Sequence, residues 1–321
     1  MRENVQKICE DFIRNRDELR KAFKLVDMKM CVSAANILTS AGVVAEAEML
    51  KPLRKIIKDK VSSISYLVGR SELSLIAELY LATDPEATMD KIINIYEIVK
   101  KICGRSPYVA MLSILLSRNI RVEEAAEIAS RGIILYDAFK KKHPLITSER
   151  DSAFACILAM SGKTTEQLID ECETVHATLK NEFSNSCFPQ VCTSILCMTD
   201  GGQEEKIQRL IVLFNMLKDC KKKYSKGHDM DVLAALTLTD KSVEELANTV
   251  IEIEAFLSEQ KDYGVLSGFD EKRRLMNAAM LAATAYADQK FTTLNIMASF
   301  IALAAQQDDD DASTAAVIAS V

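Results

Sequence analysis

The segment from residue 143 to residue 151 holds the densest group of side chains that could do chemistry. It reads His-Pro-Leu-Ile-Thr-Ser-Glu-Arg-Asp, which gathers imidazole, hydroxyl, guanidinium and carboxylate groups at a link between two predicted helices. Such a set could hold a polar ligand. We take four residues as binding candidates: His143, Thr147, Arg150 and Asp151. The same spacing fits a helix cap, in which Thr147 or Ser148 accepts from free backbone N–H groups. Capping explains these residue types fully and is our first interpretation.

Other constellations in the sequence predict no catalytic or metal site. The Gly-x-Gly-x-x-Gly, Gly-x-Ser-x-Gly and His-Glu-x-x-His patterns are all absent. On a helix, the spacing of Cys187, Cys192 and Cys197 would rotate each side chain by about 140° from the previous one, and zinc ligands are not spaced in this way. We interpret them as buried thiols, and the acidic run 308–311 as part of a solvated tail. We therefore expect no metal and no cofactor, and the catalytic residues, if any, are unknown.

Apolar residues recur with helical spacing along the chain, in alternating short and long segments. The short segments after residue 71 end about 35 to 45 residues apart, an interval typical of two-helix repeats. Their last residues are Leu81, Leu116, Met160, Met198 and Leu238. Each is followed by a longer amphipathic segment. Thr164 with Gln167, and Ser242 with Glu245, fit capping boxes where two of the long segments begin.

We predict an all-α fold built as an array of antiparallel helical hairpins, similar to an α-solenoid with a repeat of about 40 residues. The low numbers of glycines (10) and prolines (5) favour helix over sheet. No linker rich in Pro, Ser or Gly interrupts the pattern, so we expect one helical domain over 1–306 and a flexible tail over 307–321. Within the domain we distinguish N-terminal helices (1–70), hairpin repeats (71–268) and C-terminal helices (269–306).

Charge and hydropathy exclude several classes of partner. The chain has a net charge of −6, whereas a nucleic-acid-binding protein normally has an excess of basic residues. The sequence begins without an apolar signal segment, and its nine cysteines show no Cys-x-x-Cys pair, so we expect reduced thiols and a cytoplasmic protein. The longest apolar stretch, 294–305, is shorter than the roughly twenty residues of a membrane-spanning helix. We expect neither nucleic-acid nor membrane partners.

The stretch 294–305 has apolar residues on nearly every side of the helix it would form. Leu294, Met297 and Ile301 share one side, and Phe300 and Leu303 lie on another. A helix that is apolar all round is normally buried on more than one side. We therefore expect it to pack against its own array and also to support self-association or contact with a partner.

The segment around residue 150 also carries a family resemblance. His143-Pro-Leu-Ile-Thr147, followed by Asp151 and by 155–159, resembles the pattern of the bacterial proteins grouped as domain of unknown function 4003. Further stretches fit in the same order over nearly the whole chain, namely 56–58, 65–69, 194–198, 233–236 and the alanine-rich end after Leu281. Where the family carries a bulkier aromatic residue, this chain has Leu145. The resemblance implies a bacterial cytoplasmic protein without an established activity, and it supplies no catalytic residues.

The sequence leads to two functional hypotheses. The first is a non-enzymatic helical array that binds a protein, a peptide or a small ligand, because such arrays offer extended concave surfaces. The second is a hydrolase or small-ligand sensor with a site near His143, Thr147 and Asp151. Geometry separates them, because an enzyme needs these groups to converge in one pocket with perturbed pKa values, whereas a scaffold uses them as caps.

Overall fold

The computed structural model describes residues 1–144, 147–183, 190–222, 228–264 and 269–287. Helix makes up 77% of this part of the chain, which contains no strand, and the all-α prediction is thereby confirmed. The predicted helix over 294–305, the predicted tail and Cys187 lie outside the described residues. The division of the chain at residues 70 and 268 stays a prediction.

Fourteen α-helices and two short 3-10 turns, at Gly69–Ser71 and Val122–Glu124, follow one another in the described ranges. In chain order the helices are α1 (Glu3–Ala22), α2 (Met28–Ser40), α3 (Ala47–Lys60), α4 (Glu72–Leu81), α5 (Pro85–Cys103), α6 (Pro107–Asn119), α7 (Ala125–Lys142), α8 (Glu149–Leu158), α9 (Thr165–Glu182), α10 (Gln190–Cys197), α11 (Gln203–Asp219), α12 (His228–Thr237), α13 (Val243–Ser258) and α14 (Glu271–Tyr286). Long and short helices alternate after residue 71 until α14, as the apolar spacing predicts.

The predicted caps are present at the starts of two long helices. The Thr164 hydroxyl accepts from the backbone N–H of Gln167 at 3.2 Å, and the Gln167 side-chain oxygen accepts from the backbone N–H of Thr164 at 2.8 Å. In the same way the Ser242 hydroxyl accepts from the backbone N–H of Glu245 at 3.2 Å. These bonds satisfy N–H groups that the first turn of a helix leaves free.

Burial divides the helices into two layers. The odd-numbered helices bury one stripe; in α9 the stripe consists of Leu168, Cys172, Val175, His176 and Leu179. Most even-numbered helices are buried on every side, as over 72–79 in α4 and 150–158 in α8. A helix with one apolar stripe has a solvent face, whereas a helix buried all round has neighbours on all sides. The odd-numbered helices therefore form an outer layer around the even-numbered ones.

Contacts within and between the two layers run along the described part of the chain. Each odd-numbered helix packs on the even-numbered helix that follows it and on the next odd-numbered helix. The even-numbered helices contact one another in the same order, and between α4 and α6 the contact passes through the 3-10 turn that precedes α4. Sequential neighbours in the chain are therefore neighbours in space.

The first and last described helices also meet. Helix α1 contacts α13 and α14, and α2 contacts α14. The guanidinium of Arg16, which is only 2% exposed, donates to the Lys261 carbonyl at 3.1 Å and lies 5.4 Å from the centroid of the Tyr263 ring. Arg20 and Asp262 form an ion pair nearby. An open solenoid has two separated ends, and these contacts bring the described ends of this chain together.

Two arginines of the outer layer hold the ends of inner helices. Arg131 on α7 donates to the carbonyl oxygens of Ala159 at 2.9 Å and Ser161 at 3.4 Å, just after α8. Arg209 on α11 donates to the carbonyl oxygens of Thr237 and Thr239, at 3.0 and 2.9 Å, at the end of α12. The final carbonyls of a helix lack backbone partners and carry partial negative charge, so a cation there is favourable. The helix pairs α7–α8 and α11–α12 therefore share the same arginine-to-carbonyl contact.

Candidate functional site

The link between α7 and α8 is closed by local hydrogen bonds. The Thr147 hydroxyl donates to the His143 carbonyl at 2.8 Å, so it closes the turn and leaves the helix cap to Ser148. The backbone N–H of Ser148 donates to Oδ2 of Asp151 at 2.6 Å, and its hydroxyl donates to the same oxygen at 2.9 Å. Ser148 is therefore the cap residue of α8, and Asp151 holds it in place.

One oxygen of Asp151 takes no part in this cap. The side chain is 4% exposed, and its Oδ1 atom is buried without a hydrogen-bond partner. Burial raises the pKa of Asp151 above its ordinary value, while the positive charge of the neighbouring Arg150 opposes the shift. A buried polar atom without a partner is uncommon in folded proteins and calls for an explanation. The capping role accounts for Oδ2 and not for Oδ1.

A second buried carboxyl lies close enough to influence Asp151. The charge of Asp231 on α12 also raises the pKa of Asp151, as a smaller contribution than burial. Asp231 is 1% exposed and, like Asp151, lies in the first turn of an inner helix. Helix α10 contacts both α8 and α12, and its Thr193 hydroxyl is buried without a hydrogen-bond partner. We call Arg150, Asp151 and Asp231 the buried polar cluster.

His143 belongs to a different group. It follows the last residue of α7, and its Nε2 lies 3.1 Å from both carboxylate oxygens of Glu173 on α9. Its ring centroid is 4.3 Å from that of His176, also on α9. The four sequence candidates therefore separate, with His143 bound to α9, Thr147 in the turn, and Arg150 and Asp151 in the buried polar cluster.

The contact made by His143 has counterparts elsewhere in the outer layer. Lys60, at the end of α3, pairs with Asp90 on α5 at 2.6 Å. Lys222, just after α11, pairs with Glu254 on α13 at 2.7 Å. In each case a basic residue at the end of one outer helix binds a carboxylate on the next outer helix. This repetition gives His143 a structural explanation that needs no ligand.

His176 is the buried member of the histidine pair. It is 5% exposed, and its Nδ1 atom has no hydrogen-bond partner. Burial lowers its pKa below the ordinary value, the charge of His143 lowers it further, and Glu173 opposes the shift. The folded chain therefore binds a proton at His176 less tightly than the unfolded chain does.

This pKa shift predicts a pH-dependent stability. The free energy of unfolding should fall as the pH drops through the ordinary histidine pKa of about 6.5, because protonation then favours the unfolded chain. Replacing His176 with Gln should reduce the loss measured by urea denaturation between about pH 7.5 and about pH 5.5. An unchanged loss in the variant would assign the pH dependence to other groups.

A second candidate site is an open surface cavity between the loop after α3 and helix α5. Its volume is about 260 Å³, and Lys60, Lys100 and Arg105 line it. Lys60 is paired with Asp90, Lys100 binds Glu97 at 2.5 Å, and Arg105 donates to a backbone carbonyl at 2.7 Å. Because these cations are engaged within the protein, the cavity is a weaker candidate than the buried polar cluster.

Most of the described cysteines are buried, as the buried-thiol interpretation expects. All eight cysteines in the described part of the chain are free. Cys192 and Cys197 are buried as predicted, whereas Cys220 is exposed and Cys103 is half-buried. Among the described residues, no group of three or more His, Cys, Asp or Glu side chains is arranged to hold a metal ion.

The sequence alone did not identify three charged residues that contact His143, act on Asp151 or form a buried ion pair. Glu173 and Asp231 are placed beside His143 and Asp151 only by the packing of helices. Glu78 on α4 is 8% exposed and pairs with Arg118 on α6, and burial raises its pKa to about 7. For Asp231 and Glu78 the available signal is a charged residue within an otherwise apolar short helix, whereas Glu173 lies on a long helix with many charged residues and gives no such signal.

Comparison with known proteins agrees with the family resemblance. Residues 15–308 match the family described as "Protein of unknown function (DUF4003)". The chain belongs to this family. The DUF4003 chain is also similar to "Uncharacterized protein YeaA" of Bacillus subtilis (strain 168), at 24% identity over 284 residues, covering 78% of this chain and 85% of the relative. No solved structure matches the chain.

None of the described helices combines the length and the apolar character needed to cross a membrane.

Proposed function

We propose that this DUF4003 chain is a closed ring of seven antiparallel helical hairpins that binds a small polar ligand where its inner helices begin. Contacts of α1 with α13 and of α2 with α14 support closure. A closed ring lacks the extended concave surface on which our hypothesis of peptide binding rested. The small-ligand form of the binding hypothesis therefore has the better support.

The observation that carries this proposal is the buried oxygen of Asp151 without a hydrogen-bond partner. Burying a carboxyl group without full hydrogen bonding is unfavourable, and the cap of α8 needs only the other oxygen. A ligand that donates hydrogen bonds would satisfy Oδ1 of Asp151. Arg150 offsets only one of the two negative charges of Asp151 and Asp231, so the cluster favours a ligand with an amine or guanidine group.

Ligand binding is tested by thermal unfolding in the presence of small amines, guanidines and basic amino acids, with native mass spectrometry of the compounds that raise the melting temperature. We expect at least one compound to raise it, because a ligand bound only by the folded state stabilises that state. The rise should disappear in Asp151→Asn and Asp231→Asn. It should persist in Asp137→Asn, which changes an exposed carboxyl on α7. No rise with any compound, or an equal rise in Asp151→Asn, would contradict the proposal.

The same two carboxyls favour hydrolysis as a second candidate function. Two neighbouring carboxyl groups can act as a general acid and a general base when one of them keeps its proton. Asp151 has the raised pKa that the acid role requires. The test is turnover of nitrophenyl esters, glycosides and phosphates, and loss of that turnover in both Asp→Asn variants would favour hydrolysis over simple binding.

We further propose a cytoplasmic location and self-association through 294–305. Free thiols are typical of a reducing compartment, which supports the location. Self-association rests on the apolar sequence of 294–305, a stretch outside the described residues. Light scattering of a chain truncated before Thr292 tests it, and an unchanged monomeric mass would contradict it.

A further inference from the structure

Two cysteines from different hairpins face each other in the described structure. The Sγ atoms of Cys103 and Cys156 are 3.7 Å apart, although the residues are 53 positions apart in the chain. Cys103 is the last residue of α5, and Cys156 lies inside α8. A disulfide has a sulfur–sulfur distance of about 2.05 Å, so the two atoms need to approach by only about 1.7 Å.

The two thiols differ in access to solvent. Cys103 is half-buried and stands at the end of its helix, whereas Cys156 is fully buried. Hydrogen bonding with Cys156 lowers the pKa of Cys103, while the same contact and burial raise the pKa of Cys156 well above its ordinary value. An accessible thiol with the lower pKa attacks first, and a protonated neighbour can then resolve the product.

We propose that Cys103 and Cys156 form a redox site that a hydroperoxide converts into a disulfide, with Cys103 as the reacting residue and Cys156 as the resolving residue. The Cys103 thiolate attacks one peroxide oxygen, the O–O bond breaks, and hydroxide leaves and becomes water. Cys156 then attacks the sulfenic sulfur of Cys103, loses its proton, and releases a second water. Two thiols are oxidised and one hydrogen peroxide is reduced to two waters.

The new bond would connect two neighbouring hairpins. Cys103 ends the outer helix of one hairpin, and Cys156 lies on the inner helix of the next. A crosslink that closes a loop of this length restricts the unfolded chain and so raises the melting temperature. The site is independent of the ligand proposed for the buried polar cluster.

A second thiol pair in the same protein provides an internal comparison. Cys172 and Cys197 form a side-chain hydrogen bond, and both residues are fully buried. Because an oxidant cannot reach either sulfur without local unfolding, this pair should stay reduced while the Cys103 pair reacts. Cys220 is exposed and serves as the comparison for a single accessible thiol.

The test is peptide mass mapping of the full chain before and after treatment with hydrogen peroxide, with free thiols blocked under denaturing conditions. The chain has nine cysteines, and loss of one pair should leave seven blocked thiols and one Cys103–Cys156 peptide that a thiol reductant separates. In Cys156→Ala, dimedone should label Cys103. Cys220→Ser should leave the crosslink unchanged.

If Cys156→Ala fails to fold, peptide mass mapping of the wild-type chain still tests the proposal. Oxidation of Cys220 with Cys103 unmodified would overturn it. A disulfide between any other two cysteines, or a melting temperature that peroxide does not raise, would also overturn it.

Discussion

Replacing Gly132 with Ala should lower the free energy of unfolding by about 3 kcal/mol, because the added carbon overpacks the contact between α7 and α8. A Cβ atom at this position would lie 2.6 Å from the Cα and 2.8 Å from the backbone nitrogen of Cys156. Both are backbone atoms, so helix α8 has to move to relieve the clash. The same substitution in an open helix position would stabilise the chain by up to about 1 kcal/mol. Chemical denaturation gives the sign directly.

The matched control for this prediction is Gly162→Ala. Gly162 lies in the turn between α8 and α9, and a Cβ atom there would have no neighbour within 4 Å. The free energy of unfolding of the Gly162→Ala variant should stay close to that of the wild type. A Gly132→Ala chain as stable as this control would show that α7 and α8 are not in close backbone contact.

Replacing Arg16 with Ala should lower the free energy of unfolding by about 3 kcal/mol, through lost packing and a lost charge-assisted hydrogen bond. The side chain is almost fully buried between α1 and the segment after α13, where it reaches the Lys261 carbonyl and the Tyr263 ring. The change removes a contact that joins the first hairpin to the last. Urea denaturation measures the loss.

Arg14→Ala is the control for this second prediction. Arg14 lies on the same helix with a side chain that is 68% exposed and only a weak pair to Asp11 at 3.8 Å. Exposed ion pairs contribute at most about 1 kcal/mol, so this variant should be nearly as stable as the wild type. Equal stabilities of the two arginine variants would mean that the hairpin ends do not pack as described.

The fold class and the helix bounds follow closely from the sequence. The long helices predicted to begin at the capping boxes of Thr164 and Ser242 are observed at Thr165–Glu182 and Val243–Ser258, because apolar spacing and capping residues are local signals. The contact of α1 with α13 and α14 is different, since it depends on small rotations between successive helices that no short pattern encodes. One signal was present: Arg16 occupies the apolar stripe of α1 together with Phe12 and Leu19. A charged residue in such a stripe indicates a buried polar contact.

The candidate site was predicted only in part for a related reason. The sequence grouped His143, Thr147, Arg150 and Asp151 because they are close in the chain. His143 lies at the end of α7 and contacts Glu173 on α9. Asp151 lies at the start of α8, where the charge of Asp231 on α12 raises its pKa. The capping prediction succeeded because it needs only neighbours in sequence.

In the proposed ring the first and last helix pairs lie side by side, and a distance between α1 and α13 tests this closure most directly. Spin labels are attached through p-acetylphenylalanine at the exposed positions Arg14 and Ala255, which leaves the cysteines unmodified. A second labelled pair, at Arg14 and Lys51, measures the distance from α1 to the adjacent helix α3. Neighbouring helices pack about 10 Å apart, so a ring predicts that double electron–electron resonance gives similar distances below about 30 Å for both pairs. An open array would place α1 and α13 six helix spacings apart, at about 60 Å, and that distance would contradict closure.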